Sequence, residues 1–165
     1  RFHKGDDWEM YDTMALDLNF EGGKAIRWDG HSCNAIKRYG RGRGTLLLGT
    51  KGSAMVDRNG FELFDLGGKL VREAKAVAAS ETTGTVGEGI LDVHHAGNFV
   101  DVIRGRAAAL ASPITEGHIS TTLCHLGNIA WRNGGTLAVD PATGKPKSAE
   151  AMKLWSVDYQ PGWEL

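Results

Sequence analysis

With 165 residues, of which 41% are hydrophobic and 24% charged, the chain lies in the range of one compact domain with a single core, residues 1–165. Its 19 basic and 20 acidic residues nearly cancel, leaving no broad basic field to hold a nucleic-acid backbone or an anionic membrane surface. No run approaches the ~20 apolar residues that a membrane-spanning helix needs, so neither nucleic acid nor membrane is an expected partner.

The chain opens at Arg1 with no initiator methionine and no cleavable leader, which reads as a fragment beginning partway through an element. Residues 13–20 then alternate, with Met14, Leu16, Leu18 and Phe20 on one face and Thr13, Ala15, Asp17 and Asn19 on the other, the pattern of a half-buried strand. Gly22 and Gly23 can take the positive φ angles of a tight turn, and residues 24–28 return with Ile26 and Trp28 on one side. Residues 34–44 are rich in Gly and Arg and lack apolar periodicity; a loop with a mobile tip is expected there.

Four short strands follow at 45–49, 53–57, 61–65 and 70–73, separated by Lys51-Gly52, Arg58-Asn59-Gly60 and Gly67-Gly68. Turns that tight imply an antiparallel meander. Residues 76–89 lose alternation and read as a linker. Asp92 can cap a first helix carrying Val93, Ala96, Phe99, Val100 and Ile103 at helical spacing and ending near Gly105. A second helix is expected over 116–132, with Ile119, Leu123, Leu126 and Ala130 inward and Asn133-Gly134-Gly135 as its stop. In the tail, turns at Asp140-Pro141 and Gly144 precede a short helix over 148–154, and Trp155, Tyr159 and Trp163 are expected to pin the tail to the body.

Strands first and helices after make an α+β domain, a mainly antiparallel open sheet with helices on one face. The uncovered face suggests a homo-oligomer formed through the sheet.

Chemistry concentrates on the second helix. His118, Thr121, His125, Asn128 and Arg132 recur at spacings of three and four and fall on one face. A solvated helix face would carry Lys and Glu, whereas this stripe is mostly uncharged and rich in hydrogen-bonding groups. It reads either as the wall of a polar pocket or as a set of structural contacts. On the first helix, His94, Asn98 and Asp101 align, and His95 and Asn98 lie three apart.

Adjacent His94 and His95, or Cys124 and His125, diverge by ~100° on a helix and do not share an ion easily; with no paired-Cys or His-Glu-x-x-His motif, no metal is expected. Cys33 and Cys124 read as small buried apolar side chains rather than a disulfide. Neither Gly40-Arg-Gly42-Arg-Gly44 nor Gly87-Glu-Gly89 completes a dinucleotide fingerprint. No cofactor-binding residue is therefore expected in this chain, and the Rossmann domain is absent from it.

The runs His95-Ala-Gly-Asn98-Phe99-Val-Asp101-Val-Ile-Arg104 and Glu116-Gly117-His118-Ile-Ser-Thr-Thr-Leu-Cys124-His125-Leu-Gly127-Asn128-Ile-Ala-Trp-Arg132 resemble the helical part of the Gfo/Idh/MocA oxidoreductases. Trp28-Asp-Gly-His-Ser-Cys33, Gly49-Thr-Lys-Gly52-Ser and the terminal Tyr159-Gln-Pro-Gly-Trp163-Glu-Leu165 are similar to further segments of that family. The resemblance spans nearly the whole chain. It implies the substrate-side domain of a two-domain enzyme whose missing amino-terminal Rossmann domain holds NAD or NADP. Hydride then passes between the nicotinamide and a sugar or polyol carbon, assisted by a general acid or base.

The family's Glu-Lys-Pro segment, and the Asp or His with a later His that opens its second domain, do not occur here and would precede Arg1. No catalytic residue is carried over. His95, Asn98, His118, His125, Asn128 and Arg132 are the expected contacts to sugar hydroxyls. The competing reading is a stand-alone carbohydrate-binding or oligomerisation module without cofactor; a histidine-based metal hydrolase comes third. Cytoplasm and periplasm suit the low cysteine count equally.

Overall fold

A computed structural model describes residues 4–5, 7, 9–75 and 90–163. These residues form an α+β protein with two antiparallel sheets. Strands β1 (Thr13–Phe20) and β2 (Lys24–His31) make a two-stranded sheet, and β3 (Thr45–Gly49), β4 (Gly52–Asp57), β5 (Gly60–Phe64) and β6 (Leu70–Lys75) make a four-stranded meander in chain order. Helices α1 (Ile90–Ile103), α2 (Ile114–Arg132) and α3 (Ala149–Met152) follow. The linker expected over 76–89 lies outside the described residues.

The chain divides into two compact units. One comprises Arg1–Thr13 and His31–Ala111; the other comprises Met14–Gly30 and Ser112–Leu165. The first contains the meander and α1, the second the β1–β2 hairpin, α2 and the tail.

Turn chemistry sets the meander. Leu46 faces Met55, Met55 faces Glu62 and Glu62 faces Glu73; in the alternate rows Leu47, Ala54, Leu63 and Arg72 are opposed in turn. Directly opposed residues share a face. One face thus carries Val56, Phe61, Ala74, Leu47, Ala54 and Leu63, with Arg72 stacked 5.6 Å over the Phe61 ring. The other carries Met55, Glu62, Asp57 and Phe64.

Among the described residues of this unit, Met55 is the buried apolar residue; Leu47 and Val56 remain 55% and 38% exposed. Helix α1 does not supply the cover its spacing suggests. Val93, Phe99 and Ile103, expected to face inward, are all more than half exposed. Asp92 is also not a cap: it sits within the first turn, and its carboxylate accepts from Arg58 at 3.1 Å.

In the second unit α2 packs on the hairpin. Leu126, Gly127, Ile129 and Ala130 are buried, and a Cβ placed on Gly127 would lie 2.6 Å from Leu16 Cδ2. Helix and strand meet there because no side chain intervenes. The residues after α2 stop it as its sequence suggests. Gly135 N–H donates to Ala130 O and Gly134 N–H to Trp131 O, with Gly134 at φ +90°, the paired bonds of a Schellman motif. Helix α1 ends in the same way: Arg106 N–H donates to Asp101 O and Gly105 N–H to Val102 O.

The tail is held by polar turns rather than by its aromatic rings. Asp140 accepts from the Ala142 N–H and the Thr143 hydroxyl, the Ser148 hydroxyl caps α3 through Ala151 N–H, and Ala151 is fully buried. Trp163 is 77% exposed and Trp155 only half-buried, so the expected aromatic pin is not formed. Cys124 is likewise exposed and Cys33 half-buried, not the buried pair expected.

Two glycines separate backbone constraint from side-chain crowding. Gly60 sits at φ +132°, where a Cβ would lie 2.0 Å from Ala74 O, a backbone atom held in the sheet. The Cβ at Gly127 meets the mobile end of Leu16, and alanine there gains helix propensity of about 1 kcal/mol. Gly60→Ala should cost about 2 kcal/mol or more, whereas Gly127→Ala should stay within about 1 kcal/mol of wild type. Urea unfolding of both variants checks the contrast; equal losses would contradict it.

Candidate functional site

The sequence-selected residues occupy two places. His118, Thr121, His125 and Arg132 are exposed on α2 and Asn128 is half-buried, all on the side away from Leu126 and Ala130 by helical geometry. These side chains share one hydrogen-bonding stripe, bordered by buried Ile129 four residues from His125. On α1, His95 is exposed, while Asn98 is committed at both ends of its amide. Its Nδ2 donates to Ala109 O at 3.3 Å and its Oδ1 accepts from Ala111 N–H at 2.8 Å. Asn98 thereby clamps the segment that follows α1. The α1 and α2 residues belong to different units.

A second place was missed by the sequence. An open cleft of about 590 Å³ in the first unit is lined by Lys37, Tyr39, Arg41, Arg43, Asp57, Arg58, Asn59 and Glu62, with Gly40 and Gly42. That volume suits a small ligand. Its wall is a two-residue hairpin turn: Arg38 and Arg41 exchange backbone hydrogen bonds, each 2.9 Å, with Tyr39 at φ +52° and Gly40 at φ +74° between them. Positive φ at both central positions is the type I′ pattern. Glycine takes it freely, whereas for Tyr39 it is strained.

Arg41 fastens this turn to the meander. Its guanidinium donates to the Asp57 carboxylate and, at 2.7 Å, to Glu62 Oε2. The Arg41 side chain is 20% exposed and that of Asp57 6%. Burial pushes the Asp57 carboxyl up, but Arg41 and the Asn59 N–H, which donates to Oδ1 at 2.7 Å, outweigh it, and the carboxyl lies below its ordinary value of 3.8. The segment expected to be a loop with a mobile tip is thus tied down at both its turn and its cation. Only the glycine and arginine content could have hinted at it.

Four basic residues line the cleft against two acidic ones. Arg41 is neutralised by Asp57 and Glu62, and Arg58 pairs with Asp92. Lys37 and Arg43 make no ion pair among the described residues. In the same unit, His31 Nδ1 is enclosed with no hydrogen-bond partner among the described residues; its place at the end of a strand gave no periodic signal. No group of three His, Cys, Asp or Glu side chains among the described residues is placed to hold a metal ion, and no helix among them is long and apolar enough to cross a membrane. No protein-family model, no curated protein and no solved structure matches the chain.

Because its folded-state value is depressed, Asp57 contributes stability that is fully present above its unfolded value near 3.8 and is lost as pH falls through the lower folded value. Asp57→Asn should therefore lower stability at pH 7 and reduce the wild-type loss below about pH 4. Urea midpoints measured from pH 7 to pH 2 test this; parallel curves for the two proteins would contradict it.

Proposed function

We propose that this chain is the substrate-side, sheet-bearing part of an NAD- or NADP-dependent oxidoreductase of the Gfo/Idh/MocA type acting on a sugar or polyol. The carrying observation is the exposed stripe on α2, where two imidazoles and a hydroxyl at His118, His125 and Thr121 stand together on one face. Such groups exchange hydrogen bonds with sugar hydroxyls without a desolvated charge. The resemblance of the α1 and α2 sequences to that family supplies the reaction class. The fine form of the fold, an open sheet of the Gfo/Idh/MocA second domain, belongs to the same proposal.

In this reading the nucleotide is held by a Rossmann domain elsewhere in the protein, and this chain orders the sugar through His118, His125 and Asn128, with Arg132 at the margin. The apolar meander face with Leu47 and Val56 exposed supports self-association through that sheet. It equally favours the second reading, a carbohydrate-binding or assembly module without cofactor.

Titration calorimetry separates the two. NAD or NADP should bind a polypeptide extended upstream through the dinucleotide domain and should not bind this chain alone. In the extended enzyme, His118→Ala and His125→Ala should each raise KM or lower kcat about tenfold or more while nucleotide affinity is retained. Absence of nucleotide binding to both polypeptides would replace the oxidoreductase reading with the cofactor-free one. Sedimentation showing a monomer at high concentration would remove the sheet-face association.

A further inference from the structure

Lys37 and Arg43 flank the Tyr39-Gly40 turn and open onto one concave surface, with no carboxylate assigned to either among the described residues. Two cations lining one cleft, with its carboxylates already occupied by Arg41, make a local positive potential on a chain of formal net charge −1. The Tyr39 ring, 75% exposed, is held at the rim by a backbone conformation that tyrosine rarely adopts. Built Cβ atoms at Gly40 and Gly42 would meet nothing within 4 Å, so a ligand can reach the backbone between the cations.

We propose that this cleft binds the anionic group of a small sugar-like ligand, a phosphate ester or a carboxylate, between Lys37 and Arg43, with the Tyr39 ring as platform for the uncharged ring of the ligand. Charge-assisted hydrogen bonds from ammonium and guanidinium fix the anion. The aromatic face packs against the C–H face of a sugar. Arg41 is a positioning residue: it touches the two carboxylates and closes the turn, leaving the anion to its neighbours. The proposal stands on the cleft alone and requires neither a nucleotide nor the α2 stripe.

Calorimetric titration of glucose 6-phosphate, glucuronate, inorganic phosphate and glucose into the intact chain tests it. One of the two organic anions should bind and glucose should not; whichever binds tighter identifies phosphate or carboxylate as the recognised group. The Lys37→Ala/Arg43→Ala double variant, with folding verified by circular dichroism, should weaken that binding about tenfold or more. Since both residues are exposed and neither is paired among the described residues, that variant should fold. Tyr39→Ala should weaken the organic anion while leaving inorganic phosphate unchanged. Binding of neither organic anion, unchanged affinity in the double variant, or glucose binding as tightly as its phosphate would each overturn the proposal. Equal affinity for inorganic phosphate and the sugar phosphate would overturn the platform role of Tyr39.

Discussion

Arg41 carries the architecture of the first unit beyond its strands. A meander built from tight turns closes on itself through backbone hydrogen bonds, yet those bonds say nothing about where the preceding segment goes. One guanidinium settles it by holding Asp57 at the end of β4 and Glu62 in the middle of β5. Fork geometry suits arginine to this task, because two carboxylates can be met at once by a planar donor set that stays charged. The nearly enclosed Asp57 carboxylate depends on that partner in return. Removal of either would leave a half-desolvated charge uncompensated. With Arg41 so placed, the Tyr39-Gly40 turn and the cleft beside it follow as consequences.

The two units are stabilised by different means. In the second, apolar burial on α2 and its contact with Leu16 of the hairpin define a small core, and polar turns at Asp140 and Ser148 fasten the tail. In the first, little apolar surface is buried and ion pairs and sheet bonds do more of the work. Leu47, Val56, Phe99 and Ile103 are left exposed, more apolar surface than a stable isolated unit ordinarily shows. The association proposed for the meander face would cover Leu47 and Val56, and it would leave the cleft, built on the Met55 side of the sheet, open to small ligands.

Local chemistry made much of this legible. The strand boundaries came from turn residues such as Asn59-Gly60, whose positive φ only glycine tolerates, and the ends of both helices came from Gly105 and Gly134, which close matching Schellman motifs. What periodicity could not show was tertiary. Val93, Phe99 and Ile103 have helical spacing and form a helix, but spacing does not say whether a stripe is covered. The α2 stripe was visible because it is a property of one helix. The cleft was not, because Arg41 lies 16 and 21 residues from the carboxylates it joins, and no pattern in a Gly- and Arg-rich run announces which arginine will be spoken for. The aromatic residues of the tail misled for a related reason: ring size indicates what burial would gain, not that a surface is there to receive it.

Amide hydrogen exchange tests the Arg41 constraint most directly. If the guanidinium holds the turn to the meander, the Arg38 and Arg41 N–H groups should exchange slowly in the wild-type chain. The N–H groups at positions 38 and 41 should lose about tenfold or more of their protection in Arg41→Ala, which removes both ion pairs, while β4 and β5 amides keep theirs. Equal exchange at those two positions in the two proteins would show that the turn is closed without the ion pairs and would remove the basis for the cleft.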